Sequence, residues 1–281
     1  MTIGIGALYS NGVIVAADSK VVFSDGSTDT DAKLSLSMSP ERAMLAIANA
    51  AEDGHAAKTA ASKIGSAFID ANREEKSPEI LLGNAMGRWY RSYGNSQAPV
   101  LEFLVGKVIV DEWAGLYYLQ PPSTILVKAP MAIGRGARPV EPLLDLISNE
   151  KNSLKPQLLL IAYLMHLAKE QEGSACGGQT TALVITKDGS FTFVEEMDAA
   201  EKLAGEIHSS ALQCVREMVG ASTRYPATTF QDLQKDLLDR TAKFEFTSLK
   251  HLEYNVWKPG APSFAFFAKG GIARTLTLPG F

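Results

Sequence analysis

The chain has 281 residues, of which 46% are hydrophobic and 21% charged, and its formal net charge is −4. These values are typical of a globular protein, and a chain of this length buries enough apolar surface to fold without a disulfide or a metal. The slightly acidic balance argues against nucleic acid and anionic membranes as the main partners.

Targeting and redox signals are few. Cys176 and Cys214 are the two cysteines, and their wide separation fits neither a disulfide framework nor a zinc site. The longest apolar run, Leu158 to Met165, is too short to span a bilayer. The N-terminus alternates from its start and lacks the basic region of a signal peptide. We therefore expect a cytoplasmic protein.

Short strands with polar turns between them are predicted at the start of the chain. Thr2 to Tyr9 and Val13 to Asp18 are β-rich runs, and the Ser10-Asn11-Gly12 segment between them indicates a hairpin. Residues 23–32 are polar and predict a loop. A strand, a turn and a returning strand are predicted next, at Lys33 to Met38, Ser39 to Arg42 and Ala43 to Asn49.

Helices and further strands follow in blocks. A first helix carries apolar residues at three- and four-residue steps, namely Ala57, Ala60, Ile64, Phe68 and Ala71. A second helix begins at Ser77-Pro78 and runs to about Ser92. Strands are predicted at 100–110, 114–119 and 124–129, helices at about 139–148 and 154–170, and a hairpin at 179–186 and 191–195. Such blocks favour sheets with helices laid outside them over a parallel alternating α/β fold.

The last part of the chain is predicted to add two helices and then two strands. An amphipathic helix is predicted from about residue 198, a second helix at 229–243, and two strands at 263–268 and 272–278. We therefore predict a core of residues 1–196 and a C-terminal extension of residues 197–281.

Thr2 is a candidate nucleophile. A threonine hydroxyl is a poor nucleophile at neutral pH and needs an adjacent base. Once Met1 is removed, the α-amine of Thr2 itself can serve, because the pKa of an α-amino group lies near 8. A nearby lysine ammonium lowers that pKa further, and a carboxylate keeps the lysine charged. No long propeptide precedes Thr2, so removal of Met1 alone is expected to expose the amine.

The geometry of the first hairpin tests whether Asp18 can reach Thr2. A two-residue Asn11-Gly12 loop places Thr2 and Asp18 on opposite faces of the hairpin. A three-residue loop, with Gly12 in the left-handed conformation, places Thr2 opposite Lys20 and diagonal to Asp18, about 7–8 Å away. The catalytic interpretation therefore predicts the three-residue loop.

Each of these residues also has an ordinary structural interpretation. A threonine that starts a strand is usually a β-former, and an aspartate at a strand end usually caps a turn. Lys33 at a strand edge is usually a solvated charge that prevents edge pairing. Spacing alone therefore leaves the catalytic interpretation in the minority.

A family resemblance favours the catalytic interpretation. The string Thr2-Ile-Gly-Ile-Gly-Ala-Leu-Tyr-Ser-Asn-Gly-Val-Ile-Val-Ala-Ala-Asp18-Ser-Lys resembles the mature N-terminus of proteasome β subunits, the T1-type peptidases. Those subunits begin with the nucleophile Thr and carry a Gly-Val-Val/Ile-Ile/Val-Ala-Ala-Asp signature at this spacing. Lys33 is similar in position to the active-site lysine of the family. The similarity extends over about residues 2–196, in matching order.

Four further positions are similar to supporting places of that family. Asn49 falls where a backbone N–H serves as the oxyanion donor. Arg135, within Ala132-Ile-Gly-Arg-Gly136, stands where the family has a serine between two glycines. Ser174 and Cys176, within Ser174-Ala-Cys-Gly-Gly178, fall in a turn where the family carries supporting residues. Gly173 takes the place of an aspartate.

The resemblance implies a four-layer αββα N-terminal-nucleophile sandwich of the α+β class, with a C-terminal α/β extension. It implies a threonine-type endopeptidase in which Thr2, Asp18 and Lys33 act on peptides or unfolded proteins through an acyl-enzyme. A homo-oligomer such as a ring is expected, with an ATPase or adaptor partner left open, and neither a metal nor a cofactor is expected. A non-catalytic, proteasome-like scaffold subunit remains the alternative, because Arg135 and Gly173 depart from the family pattern.

Overall fold

A computed structural model of the chain describes most of the sequence. The described residues are 2–22, 27–31, 33–39, 42–51, 54–71, 78–92, 99–120, 123–146, 153–220, 227–256, 264–269 and 272–277. Met1 and Ser77, the expected cap of the second helix, lie outside them.

The described residues form fourteen strands and five α-helices. The strands are β1 (Gly4–Tyr9), β2 (Gly12–Asp18), β3 (Lys20–Val22), β4 (Thr28–Thr30), β5 (Leu34–Ser39), β6 (Ala43–Ala51), β7 (Leu101–Ile109), β8 (Trp113–Gln120), β9 (Ser123–Val127), β10 (Met131–Ile133), β11 (Thr180–Thr186), β12 (Phe191–Val194), β13 (Phe264–Lys269) and β14 (Ile272–Thr277). The α-helices are α1 (Gly54–Ala71), α2 (Pro78–Arg91), α3 (Leu154–Gln171), α4 (Met197–Gly220) and α5 (Ala227–Lys243). Three 3₁₀ helices lie at Arg135–Ala137, Glu141–Leu146 and Thr247–Glu253.

Two large antiparallel sheets carry most of the strands. The first has five strands in the order β10-β1-β2-β11-β12. The second has seven strands in the order β14-β13-β5-β6-β7-β8-β9. A separate pair, β3 and β4, adjoins the end of β2. The protein is therefore of the mixed α/β class with antiparallel sheets.

Three apolar clusters hold these elements together. One includes Val15 from β2 and Leu104 from β7, and it lies where the two sheets face each other. A second joins the outer face of the five-stranded sheet to α3 and the start of α4. The third joins the seven-stranded sheet to α1 and α2. Each fully buried Val, Leu or Ile contributes about 1.5–3 kcal/mol, so strands buried on both faces, such as β2, dominate the stability.

The strands of the C-terminal part belong to the larger sheet. β13 pairs with β5, with Phe266 opposite Leu36. The division of the chain after residue 196 stays a prediction.

The first hairpin differs from the expected geometry. Tyr9 pairs with Gly12, so the loop is the two residues Ser10 and Asn11, and the predicted three-residue loop is wrong. Gly12 is needed for a different reason, because it pairs with Thr186 of β11 as well. A Cβ at position 12 would overlap the carbonyl oxygen of Ile185. The glycine therefore marks a close approach between strands and not a left-handed loop residue.

Two other expectations need correction. The helix predicted at 139–148 is a 3₁₀ helix at Glu141–Leu146, in the part of that range that the structure describes. Pro139 and Pro142 lack the N–H groups that an α-helix needs, which favours the shorter turn. Within the loop predicted at 23–32, Thr28–Thr30 forms a strand with Lys20–Val22.

No helix among the described residues is long and apolar enough to cross a membrane.

Candidate active site

The ends of β1 and β2 bring Thr2 and Asp18 together. Ile3 lies opposite Asp18, and the Asp18 N–H donates to the Ile3 carbonyl over 3.2 Å. The Asp18 carboxylate turns back at the strand end and accepts the N–H of Ile3 at 3.1 Å. The Thr2 hydroxyl also donates to Asp18 Oδ1. Thr2 therefore reaches Asp18 although the hairpin register differs from the predicted one, because Thr2 precedes β1 and the Asp18 carboxylate turns back at the end of β2.

Lys33 enters the site from the other sheet. It precedes β5, and its Nζ donates to the Thr2 hydroxyl, to Asp18 Oδ1 at 2.8 Å and to the Lys20 carbonyl. These three acceptors use all three hydrogens of an ammonium group. The structure thus brings together Thr2, Asp18 and Lys33, the three residues singled out from the sequence, where the two sheets face each other.

Burial controls the electrostatics of this group. Thr2 and Asp18 are each 1% exposed and Lys33 is 8% exposed. Burial lowers the pKa of the Lys33 ammonium below its usual value, and the adjacent Asp18 carboxylate opposes that shift. A buried charge pair of this kind persists because each partner would otherwise be left unpaired.

A glycine turn holds the carbonyl group of Thr2. The Gly136 N–H donates to the Thr2 carbonyl over 3.2 Å. Gly134 has a φ of +81°, and a Cβ there would overlap the same carbonyl oxygen. The N–H of Gly134 donates to Glu102 Oε2 at 2.7 Å, and Tyr118 donates to Glu102 Oε1 at 2.9 Å. Glu102 on β7 therefore anchors the turn that faces Thr2.

The segment from Glu172 to Gln179, here named the 172–179 loop, holds the other side of Asp18. The Gly177 N–H donates to Asp18 Oδ2 at 2.9 Å. The N–H of Lys20 donates to the Gly177 carbonyl over 3.1 Å, and Lys20 Nζ donates to the Gly173 carbonyl at 2.6 Å. Both oxygens of Asp18 are thus hydrogen-bonded, which fixes the orientation of the carboxylate.

Asn49 lies beside Lys33 but not in the predicted role. Its backbone N–H donates to the Lys33 carbonyl over 3.1 Å as part of the β5–β6 ladder, so that N–H is already used. The side-chain Nδ2 donates to the same oxygen at 3.0 Å. A shallow cleft, partly open to solvent, runs past Lys33, Asn49, Ala51 and Gly54.

Three other predicted positions lie around the group without joining it. Arg135 is half-exposed, and its Nε lies 3.5 Å from Glu172 Oε2. Ser174 is exposed on the 172–179 loop, and in the described part of the chain no hydrogen bond joins it to Thr2. Cys176 is buried beside Gly136, and burial raises the pKa of its thiol to about 12. Cys176 is therefore a protonated packing residue at neutral pH.

Sequence reasoning missed the residues that support the group through the backbone. Glu102 accepts from Gly134, the Lys20 carbonyl accepts from Lys33, and Gly177 donates to Asp18, and each contact joins distant parts of the chain. The Gly177-Gly178 pair was a visible signal for a tight turn. Glu102 had no comparable signal, because a glutamate on a strand is not distinctive.

Solved structures of Anbu proteins are among those that match the chain. Anbu (ancestral beta-subunit) from Yersinia bercovieri superposes with a TM-score of 0.63 and 17% identity, covering 80% of this chain and 100% of that chain. Anbu from Hyphomicrobium sp. strain MC1 gives the same values. The Anbu (Gly-1) mutant from that strain gives a TM-score of 0.62 and 16% identity, covering 77% of this chain and 100% of that chain.

These comparisons correct the family resemblance drawn from the N-terminal string. No family model and no curated protein matches the chain. The assignment to the proteasome β subunits of the T1 peptidase type is wrong, because the structural neighbours reported above are Anbu proteins. At 16–17% identity, the structural comparisons show a similarity of fold alone. The chain is similar in fold to Anbu proteins.

Proposed function

We propose that the protein is a threonine-type peptidase that uses Thr2, after removal of Met1, to hydrolyse peptide bonds. One observation carries this proposal. The Thr2 hydroxyl is buried in contact with the Asp18 carboxylate and the Lys33 ammonium, which come from two different sheets. A threonine placed only to form a strand needs neither of these partners.

The proposed reaction uses the α-amine that removal of Met1 creates. Thr2 Oγ attacks the carbonyl carbon of the substrate while its proton passes to the α-amine of Thr2. The positive charge of Lys33 lowers the pKa of that amine and so keeps part of it neutral at pH 7. The C–N bond then breaks, the leaving amine takes the proton, and an ester to Thr2 remains. Water attacks this ester, which releases the acid and restores the hydroxyl.

The oxyanion donor in this proposal is the side chain of Asn49. One Nδ2 hydrogen binds the Lys33 carbonyl, and an amide nitrogen carries a second hydrogen that remains for a substrate. Asn49 borders the cleft beside Lys33, which is open to solvent on the side from which a substrate would approach in this proposal. Such a donor stabilises the charge that develops in the transition state.

The proposal includes an arrangement of layers and an assembly. The layer order is α, β, β, α, which the three apolar clusters support. The assembly is a homo-oligomer, such as a ring. The description of the Yersinia protein as an ancestral beta-subunit is in keeping with it.

Covalent labelling tests the proposal. The purified chain is incubated with a β-lactone or an epoxyketone that reacts with N-terminal threonine, and the intact mass is measured. We expect one adduct on a chain that lacks Met1, and none on Thr2→Ala. Thr2→Ser is the matched control, since it keeps a hydroxyl nucleophile and is expected to react.

Two results would contradict the proposal. A chain that retains Met1 and stays unlabelled has no free α-amine on Thr2 and no reactive threonine. In that case the protein is a non-catalytic subunit, and electron microscopy of the same sample reports whether it assembles. An adduct on Thr2→Ala would place the reactive group elsewhere.

A further inference from the structure

A lysine that lies just before the 172–179 loop binds the far end of the loop. Lys169 lies in the last turn of α3, and its Nζ donates to the carbonyl of Gly178, near the end of the loop, at 2.9 Å. Gly178 has a φ of +70°, and a Cβ there would lie 2.5 Å from Ser19 Oγ. The loop therefore fits tightly between the helix end and the end of β2.

Glu201 on α4 fixes the position of Lys169. Lys169 Nζ lies 2.7 Å from Glu201 Oε2, and the two side chains are 17% and 10% exposed. Burial raises the pKa of Glu201, and the charge of Lys169 opposes that shift. Because both side chains are largely shielded from water, separating them would leave each charge buried without its partner. Each therefore holds the other in place.

These contacts form a continuous path to the candidate nucleophile. Lys169 binds Gly178, the adjacent Gly177 donates its N–H to Asp18, and Asp18 accepts the Thr2 hydroxyl. Thr180, which follows the loop, pairs directly with Asp18 in the sheet, and its N–H binds Asp198 of α4. Two residues of α4 thus hold the segment that orients Asp18.

We propose that Lys169 and Glu201 are positioning residues for the reaction at Thr2, because together they hold the 172–179 loop in the conformation that orients Asp18. This inference rests on the proposed function. It gives a role to α4, which belongs to the C-terminal part of the chain. Neither residue touches the reacting atoms.

The test combines hydrogen exchange with labelling in the full chain. Lys169→Met removes the contact with Gly178. Glu201→Gln removes the negative charge that attracts Lys169 but leaves a hydrogen-bond acceptor. Lys155→Met is the matched control, because Lys155 lies on the same helix and donates to the Ala242 carbonyl at 2.9 Å, away from Thr2. Exchange of the Gly177 amide and the rate of β-lactone labelling are measured for each variant and for the double variant.

We expect Lys169→Met to raise exchange of the Gly177 amide at least about tenfold and to slow labelling about 10–100-fold, since small displacements of catalytic groups have effects of this size. Glu201→Gln should have a smaller effect of the same kind. The double variant should behave like Lys169→Met alone, because Glu201 acts through Lys169. Lys155→Met should change neither quantity.

Equal exchange and labelling in Lys169→Met and Lys155→Met would overturn the inference. A double variant whose labelling rate falls by the product of the two single effects would also overturn it, because the two residues would then act independently. If Lys169→Met does not fold, Glu201→Gln still decides, because it leaves an acceptor for Lys169, and exchange and labelling equal to those of Lys155→Met would then overturn the inference. An unlabelled wild-type protein contradicts the proposed function, and the exchange of Gly177 then still reports whether Lys169 holds the loop.

Discussion

Lys33 donates to three acceptors at once, and this geometry makes its replacement informative. The Thr2 hydroxyl, Asp18 Oδ1 and the Lys20 carbonyl surround Nζ. In the proposed reaction Lys33→Met removes the charge that tunes the α-amine, so we expect labelling by a β-lactone to slow by about 10²–10³-fold. Lys33→Arg keeps the charge, but its planar group does not reach the same three acceptors, so we expect an intermediate rate.

Stability must be measured alongside these rates. Lys33→Met leaves the Asp18 carboxylate buried without its cation, which costs about 3–5 kcal/mol. Urea unfolding at the labelling temperature establishes that the variant is folded when its rate is determined. A folded Lys33→Met protein that is labelled at the wild-type rate would exclude a role for Lys33 in the reaction.

Cys176 gives a prediction on pH and stability. Burial raises the pKa of its thiol from 9.0 to about 12 in the folded protein. Between these values the unfolded chain releases a proton that the folded chain keeps. The stabilisation is therefore complete below pH 9 and is lost as pH rises, by at most about 1.4 kcal/mol per pH unit. Urea unfolding from pH 8 to 11 should show a shallower decline for Cys176→Ala than for the wild type, and parallel curves would contradict the assignment.

Some residues of the site follow from the sequence, and others follow only from the fold. Thr2, Asp18 and Lys33 could be selected because their positions resemble those of the proteasome β subunits, and because the chemistry of a threonine nucleophile gives a carboxylate and an ammonium group a role. Their proximity is now seen, while their catalytic role stays a prediction. Glu102 could not be selected, and the Gly177-Gly178 pair indicated only a turn, because the hydrogen bond that each residue makes at the site depends on tertiary contacts.

At the scale of elements, the turn at Gly134 is the part of the site most sensitive to a single methyl group. Its φ is +81°, and a Cβ would overlap the Thr2 carbonyl oxygen. We expect Gly134→Ala to lower the free energy of unfolding by about 1–3 kcal/mol and to slow labelling, because Thr2 has to move. Gly87→Ala on α2 is the matched control, since a Cβ there meets nothing within 4 Å. That variant should gain up to about 1 kcal/mol in urea unfolding.

The elements also show why register is harder to predict than element type. The sequence predicts strands on both sides of Ser10-Asn11-Gly12, and β1 and β2 are there. It does not predict that β11 approaches so closely that position 12 accepts only glycine. A local rule assigned this glycine to the loop, whereas a contact with a distant strand required it. The register of this hairpin therefore depends on pairing with a distant strand, which the local sequence pattern does not reveal.

For the whole molecule, blocks of strands and helices predict antiparallel sheets with helices outside, and the mixed α/β class with antiparallel sheets agrees with this. The order of strands within the sheets was not predictable. β2 pairs with β11, and β5 pairs with β13, across long stretches of sequence. Such pairs are selected by the total apolar area that they bury, which is a property of the complete chain.

The complete chain is also the unit that we expect to fold. Met197 and Ala200 are fully buried and Phe246 nearly so, in the same apolar cluster as Ile3 and Ile5 of the five-stranded sheet. A chain ending at residue 196 loses these side chains, at about 1.5–3 kcal/mol for each large one, against a total stability of about 5–15 kcal/mol. We expect that fragment to aggregate or to melt without a cooperative transition. A chain ending at residue 256 keeps this cluster and, among the described elements, loses β13 and β14, so it should melt cooperatively at a lower temperature. Thermal unfolding of both fragments decides the matter, because a monodisperse 1–196 fragment with a sharp transition would show that the core folds without α4.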